Sequence, residues 1–235
     1  MTQPASNHHS QAFRIRSFGR RGGRVRVQAA EAQHLLWGRY GLSVESGMID
    51  LAKTFGRVAP CYLEIGFGTG HSLLALAERQ PDCDFIGVET YRPAIAALLK
   101  SMQAAGVTNL RVYDADVIDV LRESIADEML SGVQIFFPDP WQKRRHHLRR
   151  LIQPPFVAAL AEKMKAGAAL HLATDWEDYA HHMMQVLSAA DHFINVAGVG
   201  VFAARSMRRP VITKFEQRAL LAGRQVRDLQ FQKIL

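Results

Sequence analysis

From residue 61 onward, short apolar runs alternate with segments whose apolar positions recur at helical spacing. Cys61–Ile65 is largely apolar and ends in glycines, which predicts a buried strand. His71–Arg79 carries Leu73, Leu74, Leu76 and Ala77 on one side, which predicts a helix. The alternation continues with a strand at 85–88, a helix at 93–105 with Pro93 in its first turn and Gly106 past its end, a strand at 110–113 and a helix at 117–126. A strand at 133–137, a helix at 155–165 stopped by Gly167, a strand at 168–173 and a helix at 176–190 follow, with later strands at 192–199 and 226–231. Strands alternating with helices imply an α/β fold: a mostly parallel twisted sheet, helices on both faces, the final strand antiparallel. Scattered apolar positions in 31–56 predict one or two short helices.

Residues 1–30 read differently. Arg14, Arg16, Arg20, Arg21, Arg24 and Arg26 surround Gly19, Gly22 and Gly23, a composition with little to bury. The expectation is a disordered basic arm at 1–30 and a single domain at 31–235. The 235 residues suffice for one core. Two cysteines, Cys61 and Cys83, are too few for a disulfide framework and fit a reducing, cytoplasmic compartment. The N-terminus lacks the apolar core of a signal peptide, and no apolar run approaches membrane-spanning length, so no membrane association is expected.

Charge changes the picture more than composition does. The chain carries a formal charge of +7. Residues 1–60 hold nine basic and three acidic side chains, 140–151 five basic and none acidic, and 205–235 eight basic and two acidic. The remainder is therefore acidic, and a polyanion bridging three basic segments would explain the pattern better than a uniformly solvated surface.

Candidate chemistry sits at the ends of the predicted strands, where open α/β sheets bind ligands. The first strand runs into Glu64-Ile65-Gly66-Phe67-Gly68-Thr69-Gly70, with Gly66, Gly68 and Gly70 at G-x-G-x-G spacing rather than the dinucleotide G-x-G-x-x-G. A carboxylate ahead of the first glycine repels a phosphate and attracts a cation. S-adenosylmethionine, with an ammonium, a sulfonium and no phosphate, suits Glu64 better than NAD does. Glu89, ending the second strand, is placed to accept ribose hydroxyls. Asp116, after the third, is placed to accept from the adenine amine. The fourth strand opens into Pro138-Asp139-Pro140-Trp141, a stiffly held acid beside an aromatic face, followed by the basic run 142–150. Such a run suits phosphate contacts and base stacking.

The Phe-Phe-Pro-Asp-Pro-Trp segment, the basic run after it and the late Thr213-Lys214-Phe215-Glu216-Gln217-Arg218 resemble the signatures of the bacterial tRNA (guanine-N7)-methyltransferases (TrmB). The resemblance spans residue 30 to the C-terminus. It implies a Rossmann-like class I methyltransferase fold and methyl transfer from S-adenosylmethionine to guanine N7 at position 46 of the tRNA variable loop, giving N7-methylguanosine. Carried over to this chain, it implies Glu64, Glu89, Asp116 and Asp139 as cofactor-contacting acids, with Asp139 also catalytic. Lys143, Asp175, Thr213, Lys214, Phe215 and Glu216 become substrate-contacting, and Arg144, Arg145, His146, His147, Arg149 and Arg150 RNA-contacting. Asp175 could instead cap a helix ahead of Trp176, and Glu216 could pair with Lys214 or Arg218. The sequence departs from the family pattern at Leu148, Ala219 and Arg227. The expected partner is tRNA, with no obligate protein partner, the chain acting as monomer or homodimer. His8, His9, His146, His147, His181 and His182 lack carboxylate or cysteine partners at ligand spacing, so no metal is expected. The competing readings are a methyltransferase for small molecules or proteins, an RNA-binding module without catalysis and, least favoured, a dinucleotide oxidoreductase.

Overall fold

The computed structural model describes residues 27–206 and 209–234. The basic arm read at 1–30 lies mostly outside these residues, and helix α1 (Val27–Tyr40) begins before its expected end. A two-residue strand β1 (Gly41–Leu42) and a short helix α2 (Leu51–Phe55) follow, both within the region expected to hold short helices.

The regular alternation comes next. β2 (Cys61–Ile65), α3 (His71–Arg79), β3 (Asp84–Glu89), α4 (Arg92–Ala105), β4 (Leu110–Asp114), α5 (Val117–Glu123), β5 (Leu130–Phe136) and α6 (Pro154–Lys163) succeed one another. The chain ends with β6 (Met164–Thr174), α7 (Glu177–Ser188), β7 (Phe193–Asn195), α8 (Lys214–Leu221) and β8 (Arg227–Lys233). These strands form one sheet in the order β1-β4-β3-β2-β5-β6-β8-β7. All pairings are parallel except those of β8, which runs antiparallel between β6 and β7.

Interior parallel strands are buried on both faces, so their side chains divide between two apolar clusters. On β3, Ile86 and Val88 join the cluster under α5, α6 and α7, while Phe85 joins that under α1, α3 and α4. The chain builds β2, β3 and β4 outward in one direction, then returns to lay β5 on the other side of β2. This reversal opens a crevice at the carboxyl ends of β2 and β5. Ile65 and Ile135 are paired across it, so the glycine turn after β2 and the Pro-Asp-Pro turn after β5 emerge side by side.

Three expectations are corrected. The helix expected at 155–165 ends at Lys163 and passes directly into β6, because buried Met164 pairs with Leu130. Gly167 is no helix stop: its φ of 78° lies in an irregular stretch of β6. The strand expected at 192–199 stops at Asn195, whose side chain accepts from the amide of Ala197 and donates to the carbonyl of Val201, turning the chain. Helix α8, within a segment read only as a substrate signature, is started by Thr213, whose hydroxyl accepts from the Glu216 amide at 3.2 Å.

Gly87 sits beneath the glycine turn. A Cβ there would lie 2.7 Å from Leu73 Cδ2 and Phe67 Cδ1, both on buried side chains. Gly87→Ala is expected to destabilise the fold by about 1–3 kcal/mol, read as a lower denaturant midpoint at unchanged m.

Candidate active site

The crevice holds a cavity of about 720 Å³, within the range typical of small-molecule sites. Its wall on the β2 side is the glycine turn. Gly66, Gly68 and Gly70 have φ of 72°, 55° and 73°, a left-handed region where a side chain costs energy. Gly70 is doubly constrained, since a Cβ would lie 2.7 Å from Leu98.

The acids around this turn have opposite surroundings. Glu89 accepts from the amides of Gly68 (3.0 Å), Thr90 (2.8 Å) and Tyr91 (3.0 Å), tying the glycine turn to the end of β3. A carboxylate has about four lone-pair directions, so capacity for a further hydroxyl remains. Glu64 is only 4% exposed, and its Oε2 has no hydrogen-bond partner among the described residues. Burial pushes its carboxyl up to about 8. A buried acid without a partner beside a cavity is a place for a cation to dock.

The opposite wall follows β5. Phe137 and Trp141, with φ of 52° and 45°, bracket Pro138, Asp139 and Pro140. Non-glycine residues in this region cost about 1–3 kcal/mol each, and such conformations cluster at functional sites. Asp139 reaches the cavity. The third wall is the segment before and within α8: Thr213, Lys214 and Phe215 line the cavity, and the Phe215 ring lies 6.3 Å from that of Phe137, nearly parallel. Ile212, Arg218 and, on the β3 side, Tyr91 also line it. Arg218 was legible, standing one helical turn beyond Lys214. Nothing in the sequence marked Tyr91.

The structure therefore gathers Glu64, Gly66, Gly68, Glu89, Asp139, Thr213, Lys214 and Phe215 around one cavity. Gly70 and Asp116 stand just behind it. Asp116 caps α5 by accepting from the Ile118 amide at 3.0 Å, between the lining residues Ala115 and Val117. Asp175 does not cap α7, where Trp176 takes that position; it pairs with Arg224 at 2.7 Å. Glu216 turns inward. Its carboxylate pairs with Arg205 and Arg209, not with Lys214 or Arg218, and buried Arg209 also pairs with Asp228, which holds His171.

Lys143 precedes a 3-10 turn, Arg144–Arg149, that carries the basic run outside the cavity. Lys143, Arg144, Arg145 and Arg149 are exposed, with His146 and His147 half-buried. Arg150, expected among the RNA-contacting residues, is not exposed like its neighbours. It is 1% exposed and committed to Pro140, His147 and Asp178. Among the described residues there is no group of three or more His, Cys, Asp or Glu able to hold a metal ion, and no helix long and apolar enough to cross a membrane.

A family model described as "Putative methyltransferase" matches residues 58–229. A protein of Pseudoalteromonas atlantica named tRNA (guanine-N(7)-)-methyltransferase is 47% identical over 94% of this chain and 92% of its own length. Proteins of the same name from Idiomarina loihiensis and Pseudomonas aeruginosa are 48% and 46% identical, over 92% and 94% of this chain and 88% and 90% of theirs. The chain belongs to the tRNA (guanine-N7)-methyltransferase family. The family's fold is recognisable at much lower identity. The aminoglycoside-resistance methyltransferase NpmB1 superposes with a TM-score of 0.55 at 15% identity, covering 82% of this chain and 94% of that one. The 16S rRNA methyltransferase KamB gives 0.54 at 14%, covering 86% and 92%.

In this methyltransferase, Glu64 opposes stability at neutral pH. The folded chain holds a proton on Glu64 up to about pH 8, whereas the unfolded chain releases it near 4.5. Between these values the ligand-free fold loses stability as pH rises. Glu64→Gln is expected to remove that loss, melting a few degrees above wild type at pH 8 and close to it at pH 5. Calorimetry of the ligand-free proteins checks this; a variant melting below wild type at pH 8 contradicts it.

Proposed function

We propose that this chain transfers the methyl group of S-adenosylmethionine to N7 of a guanine in tRNA, at position 46 of the variable loop, and works in the cytoplasm. One observation carries the reading: a buried carboxyl whose Oε2 has no partner among the described residues lies at the cavity wall, and a cationic surface turn lies just outside it. The first suits a phosphate-free cationic donor, the second a nucleic-acid backbone. The names of the relatives support guanine N7 of tRNA as the acceptor.

Glu64 would hold the donor's ammonium, the glycine turn would pack against it, and Glu89 would accept from its ribose. When bound, the donor supplies an electrophilic methyl on a sulfonium. Guanine N7 offers a lone pair and loses no proton, so the residues need not supply a strong base. Their task is alignment, which can carry most of the rate. Asp139, at the rim, would stabilise the positive charge arriving on the purine and accept from its Watson–Crick edge. Lys214 and Phe215 would close the cavity over the base. A guanine stacked inside folded tRNA must be extruded, at a cost of a few kcal/mol, which the exposed cations offset by gripping phosphates.

Incubation with unmodified tRNA and labelled donor, followed by nucleoside analysis, tests the reaction. N7-methylguanosine is the expected product, and its absence rejects the reading. Asp139→Ala is expected to lower transfer by at least about 100-fold with donor affinity retained; wild-type turnover would remove Asp139 from the chemistry. Leu148, 82% exposed within the basic turn, offers a second measurement. Leu148→Lys is expected to steepen the slope of log affinity against log salt by about 0.7–0.9, and an unchanged slope would place residue 148 away from phosphate.

A further inference from the structure

We propose that Arg150 is a positioning residue for the reaction: it fixes the turn that presents Asp139 and makes no contact with RNA. The proposal rests on the reading of Asp139 given above. Arg150 closes the basic run, yet its side chain is buried while Arg144, Arg145 and Arg149 are exposed. Its Nε donates to the carbonyl of Pro140 at 3.0 Å. Its Nη2 meets His147 Nε2 at 3.0 Å and the carboxylate of Asp178 on α7. The guanidinium lies over the Tyr179 ring, 4.8 Å from its centre, and the Tyr179 hydroxyl accepts from the amide of Ile152, two residues beyond Arg150.

The turn needs this anchor. Pro138 and Pro140 fix their own φ but leave ψ free. The ψ of Pro140 sets the direction of its carbonyl and of the peptide leading into Trp141, whose φ is 45°. A strained conformation persists only where its surroundings over-determine it. The Nε of Arg150 holds that carbonyl, while Asp178 and Tyr179 hold Arg150 to α7. One fork of donors thus supplies the restraint the prolines lack, and Asp139 lies one residue before the restrained carbonyl.

The test compares Arg150→Met and Arg150→Lys with wild type for single-turnover transfer, tRNA affinity against salt, and tryptophan fluorescence. Misplacement of a reacting group by about 1 Å can cost about 100-fold in rate, so Arg150→Met is expected to lose about that factor in kcat. Its tRNA affinity and salt slope should stay at wild-type values, with tryptophan emission shifted as the turn around Trp141 moves. Arg150→Lys, which keeps a charge and a donor, should recover part of the rate. Unchanged kcat with weaker tRNA binding and a salt slope shallower by about one phosphate contact would overturn the proposal, as would wild-type behaviour throughout. Should Arg150→Met fail to fold, Asp178→Asn carries the same test on a mostly exposed carboxylate: lower kcat at unchanged tRNA affinity supports the role, and wild-type kcat overturns it. A wild-type protein that methylates no tRNA would sink the parent reading instead, and the emission shift would still report whether Arg150 holds the turn.

Discussion

A carboxyl group kept out of water, its Oε2 without a hydrogen-bond partner among the described residues, is the constraint on which the site depends. Glu64 occupies the end of β2, next to the point where strand order reverses, and burial holds its proton well above the usual carboxylate range. Its neighbour on the other side of the glycine turn is the opposite case. Glu89 is satisfied by three backbone amides and serves as scaffold for the turn it would share with a ligand. The pair is the electrostatic ground for proposing that the turn receives a cation. A pyrophosphate laid on these amides would meet Glu89 already accepting from them and Glu64 repelling it when ionised, whereas a cation converts the cost of burying Glu64 into binding.

The wall contributed by the C-terminal segment is fixed by a second set of buried charges. Thr213 to Glu216 read as one motif, but helical geometry divides it. Thr213 caps α8, Lys214 and Phe215 line the cavity, and Glu216 points into the protein toward Arg205 and Arg209. Arg209 in turn reaches Asp228 on β8 and lies over the rings of Phe136 and Phe137 at the end of β5. Buried ion pairs add little net stability over an apolar alternative, yet breaking one side costs about 3–5 kcal/mol. Such a network therefore fixes where α8 sits more than how strongly the chain folds. It links the α8 wall of the cavity to the end of β5, the strand whose following turn carries Asp139.

Most of the sheet was legible because parallel interior strands must be apolar and their turns must use glycine or a cap. The glycine turn, the acid after each strand and the Pro-Asp-Pro turn followed from local rules alone. What escaped depended on distant partners. The start of β6 is set by Leu130, some thirty residues earlier, not by Gly167. The inward turn of Glu216 depends on arginines at 205 and 209, when nearer cations at 214 and 218 offered simpler pairs. The N-cap signal of Thr213 and Glu216 was local and readable; its resemblance to a substrate signature masked it.

The basic run shows the same limit in its sharpest form, since composition cannot say which cations of a run face solvent. The Trp141 ring is already attended on this surface: Arg149 lies 5.0 Å from its centre and His146 meets it edge-on at 5.9 Å. A nucleobase can take the face covered by Arg149 only once that guanidinium moves. Under the proposed function that exchange would be cheap, because an exposed cation–π contact is worth about 0.5–1 kcal/mol and Arg149 would keep a phosphate within reach. Arg150 cannot make the same exchange, being enclosed by Pro140, His147, Asp178 and Tyr179. Two adjacent arginines are thus differently placed: Arg149 is exposed over Trp141, where the proposed function would have it follow the nucleic acid, and Arg150 is buried against the turn it is proposed to hold.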